Sequence, residues 1–193
     1  MLEYSVRHMK NTLLLFKNFL KNPKEVGAIV PSSSFLTNEI IKNIDFNTAK
    51  IIVELGPGLG AFTKTILKNA RHDAHIYCIE VNKEFCSILR KEIPDKRLII
   101  INEEAKNLSK ILHKYKIKKA HCIVSGIPFL NFSDRQRKVV LNAITKSLSK
   151  NGIFILFQYT RDLAELLTQY FKSVSRKIVP LNIPPAFVYL CKD

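Results

Sequence analysis

Ile51-Ile52-Val53-Glu54-Leu55-Gly56-Pro57-Gly58-Leu59-Gly60-Ala61-Phe62 is the stretch on which the reading of the fold turns. Its first five residues are β-rich and almost wholly apolar, as in a strand buried on both faces. Three alternating glycines follow, and a helical period takes over at 62–69. Glycine is needed where backbone must turn sharply and approach a ligand with no side chain between. The helix behind the turn adds N–H groups that have no partner within the helix. A strand that passes through such a turn straight into a helix is the opening of a βαβ unit.

Working outward, further apolar β-rich runs occupy 75–81, 97–102, 120–125 and 152–158, with helical periods at 83–92 and 134–148 between them. Ser133-x-x-Gln136 is a capping-box signature at the start of the last helix. Strands alternating with helices predict a parallel sheet covered on both faces. The tail departs from the alternation: 161–171 reads as a helix, 173–179 and 186–191 as strands, and Leu181-Asn182-Ile183-Pro184-Pro185 as the turn between them. Strands so closely joined must be antiparallel. The expectation is one α/β domain over 1–193, with a seven-stranded, mostly parallel Rossmann-like sheet and a C-terminal antiparallel hairpin.

A chain of 193 residues with 47% hydrophobic content can bury a single large core. No apolar run reaches the 18 residues of a membrane span, and no secretory pattern opens the chain, so a cytoplasmic protein is expected. Cys78, Cys86, Cys122 and Cys191 are far apart in apolar surroundings and read as buried thiols. The histidines form no motif, and no metal site is expected. With 31 Lys and Arg against 16 Asp and Glu the net charge is +15. That excess suits an anionic partner, a nucleic acid or an acidic membrane face, or simply solvates the surface.

The glycine turn admits two ligands. Gly56-x-Gly58-x-x-Ala61 satisfies a nicotinamide-dinucleotide fingerprint, and Glu80, at the end of its strand, is spaced for a ribose contact in either case. Gly60, which tightens the turn to G-x-G-x-G, Glu54 before it and the terminal hairpin favour a methyltransferase. No second domain follows to hold a dehydrogenase substrate.

Val53-Glu54-Leu55-Gly56-Pro57-Gly58-Leu59-Gly60-Ala61-Phe62-Thr63, with Ile79-Glu80-Val81-Asn82 beyond it, resembles the class I S-adenosylmethionine-dependent methyltransferases. The branch it is most similar to holds the rRNA adenine dimethyltransferases and the bacterial phospholipid N-methyltransferases. Gly27-Ala28-Ile29-Val30-Pro31-Ser32-Ser33, the loop Val124-Ser125-Gly126-Ile127-Pro128-Phe129-Leu130-Asn131-Phe132 and the hairpin Ile183-Pro184-Pro185-Ala186-Phe187-Val188 resemble the phospholipid side. The resemblance implies S-adenosylmethionine as cofactor, held by Glu54, Gly56, Gly58, Gly60, Glu80, Val81, Glu104, Ala105 and Ser125. Glu80 would take the ribose hydroxyls. Glu104 stands where relatives often carry Asp and would take the adenine amino group.

Base-modifying relatives hold a planar exocyclic amine with a polar side chain and a backbone carbonyl, and stack an aromatic ring on the base. In this chain that loop starts at Ser125, too short to copy an amide, while Phe129 supplies a ring. The resemblance therefore implies N-methylation of a primary amine on a phospholipid headgroup, phosphatidylethanolamine or an ornithine-type lipid. Ser125 and the carbonyl of Gly126 or Ile127 would orient that amine, with Tyr159 or Tyr4 against the headgroup. An rRNA adenine N6-methyltransferase, contacting phosphates through Lys114, Lys116, Lys118 and Lys119, and an inactive cofactor-binding adaptor are the alternatives.

The segment 1–22 carries a second signal. Leu2, Val6, Met9, Leu13, Phe16 and Leu20 recur at spacings of three and four, flanked by Arg7, Lys10, Lys17 and Lys21. A basic amphipathic helix suits the anionic inner face of a membrane; packing on the core is the other reading. Tyr4, Arg7, Lys10, Phe16, Lys17, Ser33 and Phe129 are the expected substrate or membrane contacts.

Overall fold

The computed structural model describes residues 34–159, 163–182 and 185–193, and is an α/β sandwich of three layers. Helix α1 (Ser34–Ile41) leads to β1 (Ile51–Leu55), α2 (Ala61–Asn69), β2 (His75–Glu80), α3 (Lys83–Glu92) and β3 (Leu98–Asn102). A 3₁₀ turn (Ala105–Asn107) opens onto α4 (Leu108–Lys114), then come β4 (Ala120–Ser125), a 3₁₀ turn (Phe129–Asn131), α5 (Asp134–Ser147) and β5 (Leu148–Gln158). The chain closes with α6 (Ala164–Thr168), β6 (Ser173–Val179) and β7 (Ala186–Lys192).

The seven strands lie in the order β3-β2-β1-β4-β5-β7-β6. β1 to β5 are mutually parallel, and β7 runs antiparallel to both β5 and β6. Strand order reverses between β1 and β4, the switch point at which open α/β sheets bind ligands beyond the carboxyl ends of their strands. Along each central strand alternate residues feed two cores. Val53, Leu55, Ile123 and Phe154 pack under α4 and α5, while Ile52, Cys122, Val124 and Ile155 pack under α1 and α2. All four cysteines are buried and unpaired.

The expected strands all form, with one extended. β5 starts at Leu148 rather than Gly152, because the β4–β5 register shifts between Ala120, opposite Leu148, and Cys122, opposite Ile153. The helix expected to Phe171 ends at Thr168, where i→i+3 bonds of Gln169 to Leu166 and Tyr170 to Leu167 tighten the last turn. Ser133 caps α5 as its spacing predicts: Gln136 N–H donates to Ser133 Oγ at 3.3 Å and Ser133 N–H to Gln136 Oε1 at 2.8 Å.

Helix α4 ends in a left-handed residue, Lys116 (φ 58°), with Ile117 N–H donating to the Leu112 carbonyl at 2.8 Å. That position favours glycine by roughly 1 kcal/mol. Lys116→Gly is expected to raise the midpoint of thermal unfolding by about 2–4 °C, read by circular dichroism; a lower midpoint would contradict the assignment.

Candidate functional site

The glycine turn sits at the switch point. Gly56, Gly58 and Gly60 all have positive φ (71°, 55° and 83°), but for different reasons. A Cβ on Gly56 would lie 2.7 Å from Ile127 Cγ2, and one on Gly60 2.7 Å from Leu89 Cδ2 and 2.8 Å from Ile93 Cδ1. Those two glycines let the turn pack against the β4 loop and α3. A Cβ on Gly58 would meet nothing within 4 Å. Gly58 is thus the point where a ligand can reach bare backbone.

Glu80, buried at the end of β2, ties this turn to the neighbouring strand end. Its Oε2 accepts the Gly58 N–H at 3.1 Å and its Oε1 the Asn82 N–H at 2.9 Å. Asn82 in turn caps α3 through the amides of Glu84 and Phe85. Asn102, at the end of β3, donates to the carbonyls of Glu80 and Val81. A carboxylate has about four acceptor positions. Two remain on Glu80 for a diol.

A cleft of about 480 Å³ opens beside Glu80 and is lined by Gly56, Val81, Glu104, Ala105, Ile127 and Val139 among others. Val81 and Val139 are large apolar side chains open to it, 68% and 45% exposed, which a flat ring would cover. Glu104 pairs with Lys106 at 2.9 Å, and Glu103 Oε1 accepts the Glu104 amide at 2.9 Å. A carboxylate for a diol, apolar walls for a ring and an open glycine backbone together fit an adenosine-bearing cofactor.

Beneath the turn Glu54 is fully buried. Thr63 Oγ1 donates to its Oε2 at 2.6 Å, and the Cys78 thiol lies 3.4 Å from the same oxygen. Desolvation dominates and pushes its pKa up to about 7, against the opposing hydrogen bonds of Thr63 and Cys78. The same burial, with Glu54 beside it, pushes the Cys78 thiol well above its usual value.

The loop after β4 meets the glycine turn directly, Gly126 N–H donating to the Leu55 carbonyl at 2.9 Å. Ser125, expected to face a substrate, is instead fully buried, and its Oγ accepts the Ile127 amide at 3.4 Å. The Ile127 carbonyl accepts Gln158 Nε2 at 2.9 Å. Gly126 sits close to its neighbours, since a Cβ would lie 3.0 Å from the Gly56 oxygen and 3.3 Å from the Phe157 ring. Phe129 departs furthest from expectation. Its ring is 0% exposed and packs on Phe132 in the core, because the 3₁₀ turn rolls it under α5, where Arg137 Nε holds its carbonyl at 3.0 Å.

Of the expected residues, then, Gly56, Glu80, Val81, Glu104 and Ala105 share one cleft, and Gly58 joins it through Glu80. Glu54, Gly60, Ser125 and Phe129 do not line it. Tyr159 stands at the end of β5, half-buried, edge-on to Phe157 at 6.1 Å, with Phe62 beyond at 5.2 Å from Phe157. Burial raises its phenol pKa, opposed by the nearby Asn182 side chain. Tyr4, Arg7, Lys10, Phe16, Lys17 and Ser33 lie outside the described residues, as does the whole of 1–22. Gln158, Asn82 and Asn102 join the site without being expected from the sequence; for Gln158 the signal is a polar residue closing the apolar run 153–157.

A model of the ribosomal RNA adenine dimethylase family matches residues 15–178. An ornithine lipid N-methyltransferase of Singulisphaera acidiphila is 26% identical over 190 residues, covering 95% of this chain and 97% of that protein. A ribosomal RNA small subunit methyltransferase A of Mesomycoplasma hyopneumoniae is 30% identical over 128 residues, 66% of this chain; the alignment spans only 42% of that protein's length. Among solved structures, a precorrin-6y C5,15-methyltransferase from Geobacter metallireducens superposes with a TM-score of 0.62 at 11% identity, covering 82% of this chain and 87% of that one. At that identity the likeness is one of fold.

Proposed function

Because this chain belongs to the ribosomal RNA adenine dimethylase family and is an S-adenosylmethionine-dependent methyltransferase, we propose that its acceptor is the primary amine of an aminolipid headgroup, presented at a membrane surface. One observation carries the proposal: the loop after β4 presents neither an open polar side chain nor the ring that a planar base requires. The Ser125 hydroxyl is buried against the Ile127 amide, and the Ile127 carbonyl is taken by Gln158. Gly126 carries no side chain, and the Phe129 ring is inside the core. An aliphatic amine needs no stacking platform. The relative named as an ornithine lipid N-methyltransferase, which this chain matches nearly end to end, supports the same reading.

In this reading Glu80 binds both ribose hydroxyls, Val81 and Val139 flank the adenine, and Glu104 with the Ala105 amide meets its edge. Gly56 and Gly58 let backbone approach the methionine half, above Glu54. When bound, the cofactor supplies a sulfonium methyl that an amine lone pair takes by in-line displacement. The loop of Ser125 and Gly126, pinned by Gln158, fixes the direction from which the amine arrives, so positioning supplies most of the rate. Tyr159 borders that approach from β5. The segment 1–22 and Ser33 are the proposed contacts to lipid, through Tyr4, Arg7, Lys10, Phe16 and Lys17. Among the described residues no helix is long and apolar enough to cross a membrane.

The test is the dependence of cofactor turnover on the lipid amine. With vesicles carrying phosphatidylethanolamine or an ornithine lipid, S-adenosylhomocysteine should form at a rate that rises with aminolipid content. Acetylating the lipid amine should abolish it. Turnover that survives acetylation would contradict the proposal.

A further inference from the structure

Large apolar side chains left open to solvent are few among the described residues, and their distribution is uneven. Val81 and Val139 belong to the cofactor cleft. Ile88 and Tyr115 stand apart on α3 and after α4, while Phe35 (51% exposed), Ile178 (51%) and Leu181 (63%) belong to α1, the edge strand β6 and the turn after it, with Ile178 on the face of β6 opposite to Lys177. β6 runs parallel to β1, since each is related to β5 by the pairings through β7 and β4, so its end at Val179 lies at the carboxyl edge of the sheet. The turn that follows, with Leu181, projects from the same edge as the glycine turn.

Helix α1 packs against β6 and β7, and Lys177 Nζ reaches Glu39 Oε1 at 3.4 Å. The connection from α1 to β1 is held at the opposite, amino edge, where Arg71 Nη1 binds the Asn47 carbonyl at 2.9 Å. The C-terminus of α1 therefore points away from the active edge, and Phe35, one turn before Glu39, points towards it. Leu181 lies four residues beyond Lys177 in the same direction.

The charge around this corner has one sign. From Leu166 to Lys192 the chain has no acidic residue, and Arg176 and Lys177 bring two cations near the carboxyl end of β6, while Lys172 and Lys192 lie at its amino end. The Arg176 guanidinium lies 5.5 Å above the Phe187 ring, which holds it on the outer face of the same edge. Glu39, beside them, is already paired with Lys42 and Lys177. From β6 to β4 is three strand spacings, roughly 15 Å. A bilayer resting on the corner would place its headgroups within reach of the Gly126 loop.

We propose that Phe35, Ile178 and Leu181, with Arg176 and Lys177, are a membrane-contacting corner that seats the carboxyl edge of the sheet on an anionic bilayer. It rests on the aminolipid reading above and is separate from any contact made by 1–22. Apolar tips enter the headgroup region while the cations meet lipid phosphates, the arrangement by which peripheral proteins hold an interface.

The protein has no tryptophan, so a single one reports without background. Leu181→Trp and, as a control at the amino edge, Tyr115→Trp are titrated with phosphatidylglycerol vesicles, with and without brominated acyl chains. The emission of Leu181→Trp should shift to shorter wavelength and be quenched by bromine, while that of Tyr115→Trp should not change. Leu181→Asp should lower vesicle partitioning roughly tenfold, the order expected for keeping one leucine side chain out of the interface. No shift at position 181 while the protein sediments with vesicles would overturn the proposal. So would an emission already short in the free protein and unchanged by vesicles, since the corner would then be covered by the chain itself. Methylation of aminolipid in detergent micelles separates the two failures. Micellar activity without an interfacial shift sinks the corner alone, and an interfacial shift without aminolipid methylation sinks the substrate reading alone.

Discussion

Glu80→Ala is expected to weaken binding of S-adenosylmethionine and S-adenosylhomocysteine by at least a hundredfold, measured by titration calorimetry. The carboxylate does two things at once. It holds the Gly58 and Asn82 amides at 3.1 and 2.9 Å, and so fixes the turn against the end of β2. It also offers its two remaining acceptor positions to a diol. Hydrogen bonds to a charged group contribute roughly 1.5–3 kcal/mol each. Losing two to the ligand accounts for about two orders of magnitude or more, before the loosened turn is counted. Glu80→Gln should fall between the two, because one of its ends becomes an NH₂ facing a backbone donor. The sheet should survive, since α3 keeps its cap at Asn82. Affinity within threefold of the parent would mean that the diol is held elsewhere.

The second large effect is a pH dependence set by Glu54. Its folded pKa is raised by burial from 4.5 to about 7, so the folded state retains a proton that the unfolded chain has released. The unfolded state binds fewer protons between about pH 4.5 and 7, and stability must fall as pH rises through that window, then level off. A shift of this size corresponds to roughly 3 kcal/mol. The carboxylates with lowered pKa, Asp95 at about 2 among them, act with the opposite sign and at lower pH. Glu54→Gln keeps an acceptor for Thr63 and removes the titration. It should match the parent near pH 5 and exceed its stability at pH 8, by urea unfolding. Parallel stability curves for the two proteins would show that Glu54 is ionised in the fold.

Much of the architecture was legible because it is written in periods and punctuation. The apolar strand into Gly56-Pro57-Gly58-Leu59-Gly60, the Ser133–Gln136 cap and the close spacing of the last two strands each have a local cause. The site was legible where residues act through backbone or from strand ends, as Gly58 and Glu80 do. It was not where direction matters. Ser125 continues the inward alternation of Ile123 and so faces the core, and a 3₁₀ turn takes Phe129 under α5. Neither rotation has a marker in the loop's composition. Gln158 acts on a carbonyl 31 residues away, a pairing that exists only once β4 and β5 lie side by side. The same holds for the corner formed by Phe35 and Leu181, which α1 and β6 bring together from opposite ends of the chain.

The central claim, that the methyl group goes to a lipid amine, is tested most directly by giving the protein a choice. Methyl-labelled cofactor is supplied with the protein, vesicles containing aminolipid and ribosomal RNA in one mixture, and the two fractions are separated and counted. Label is expected in the aminolipid and none above background in RNA. Label in RNA adenine with the lipid unlabelled would contradict it.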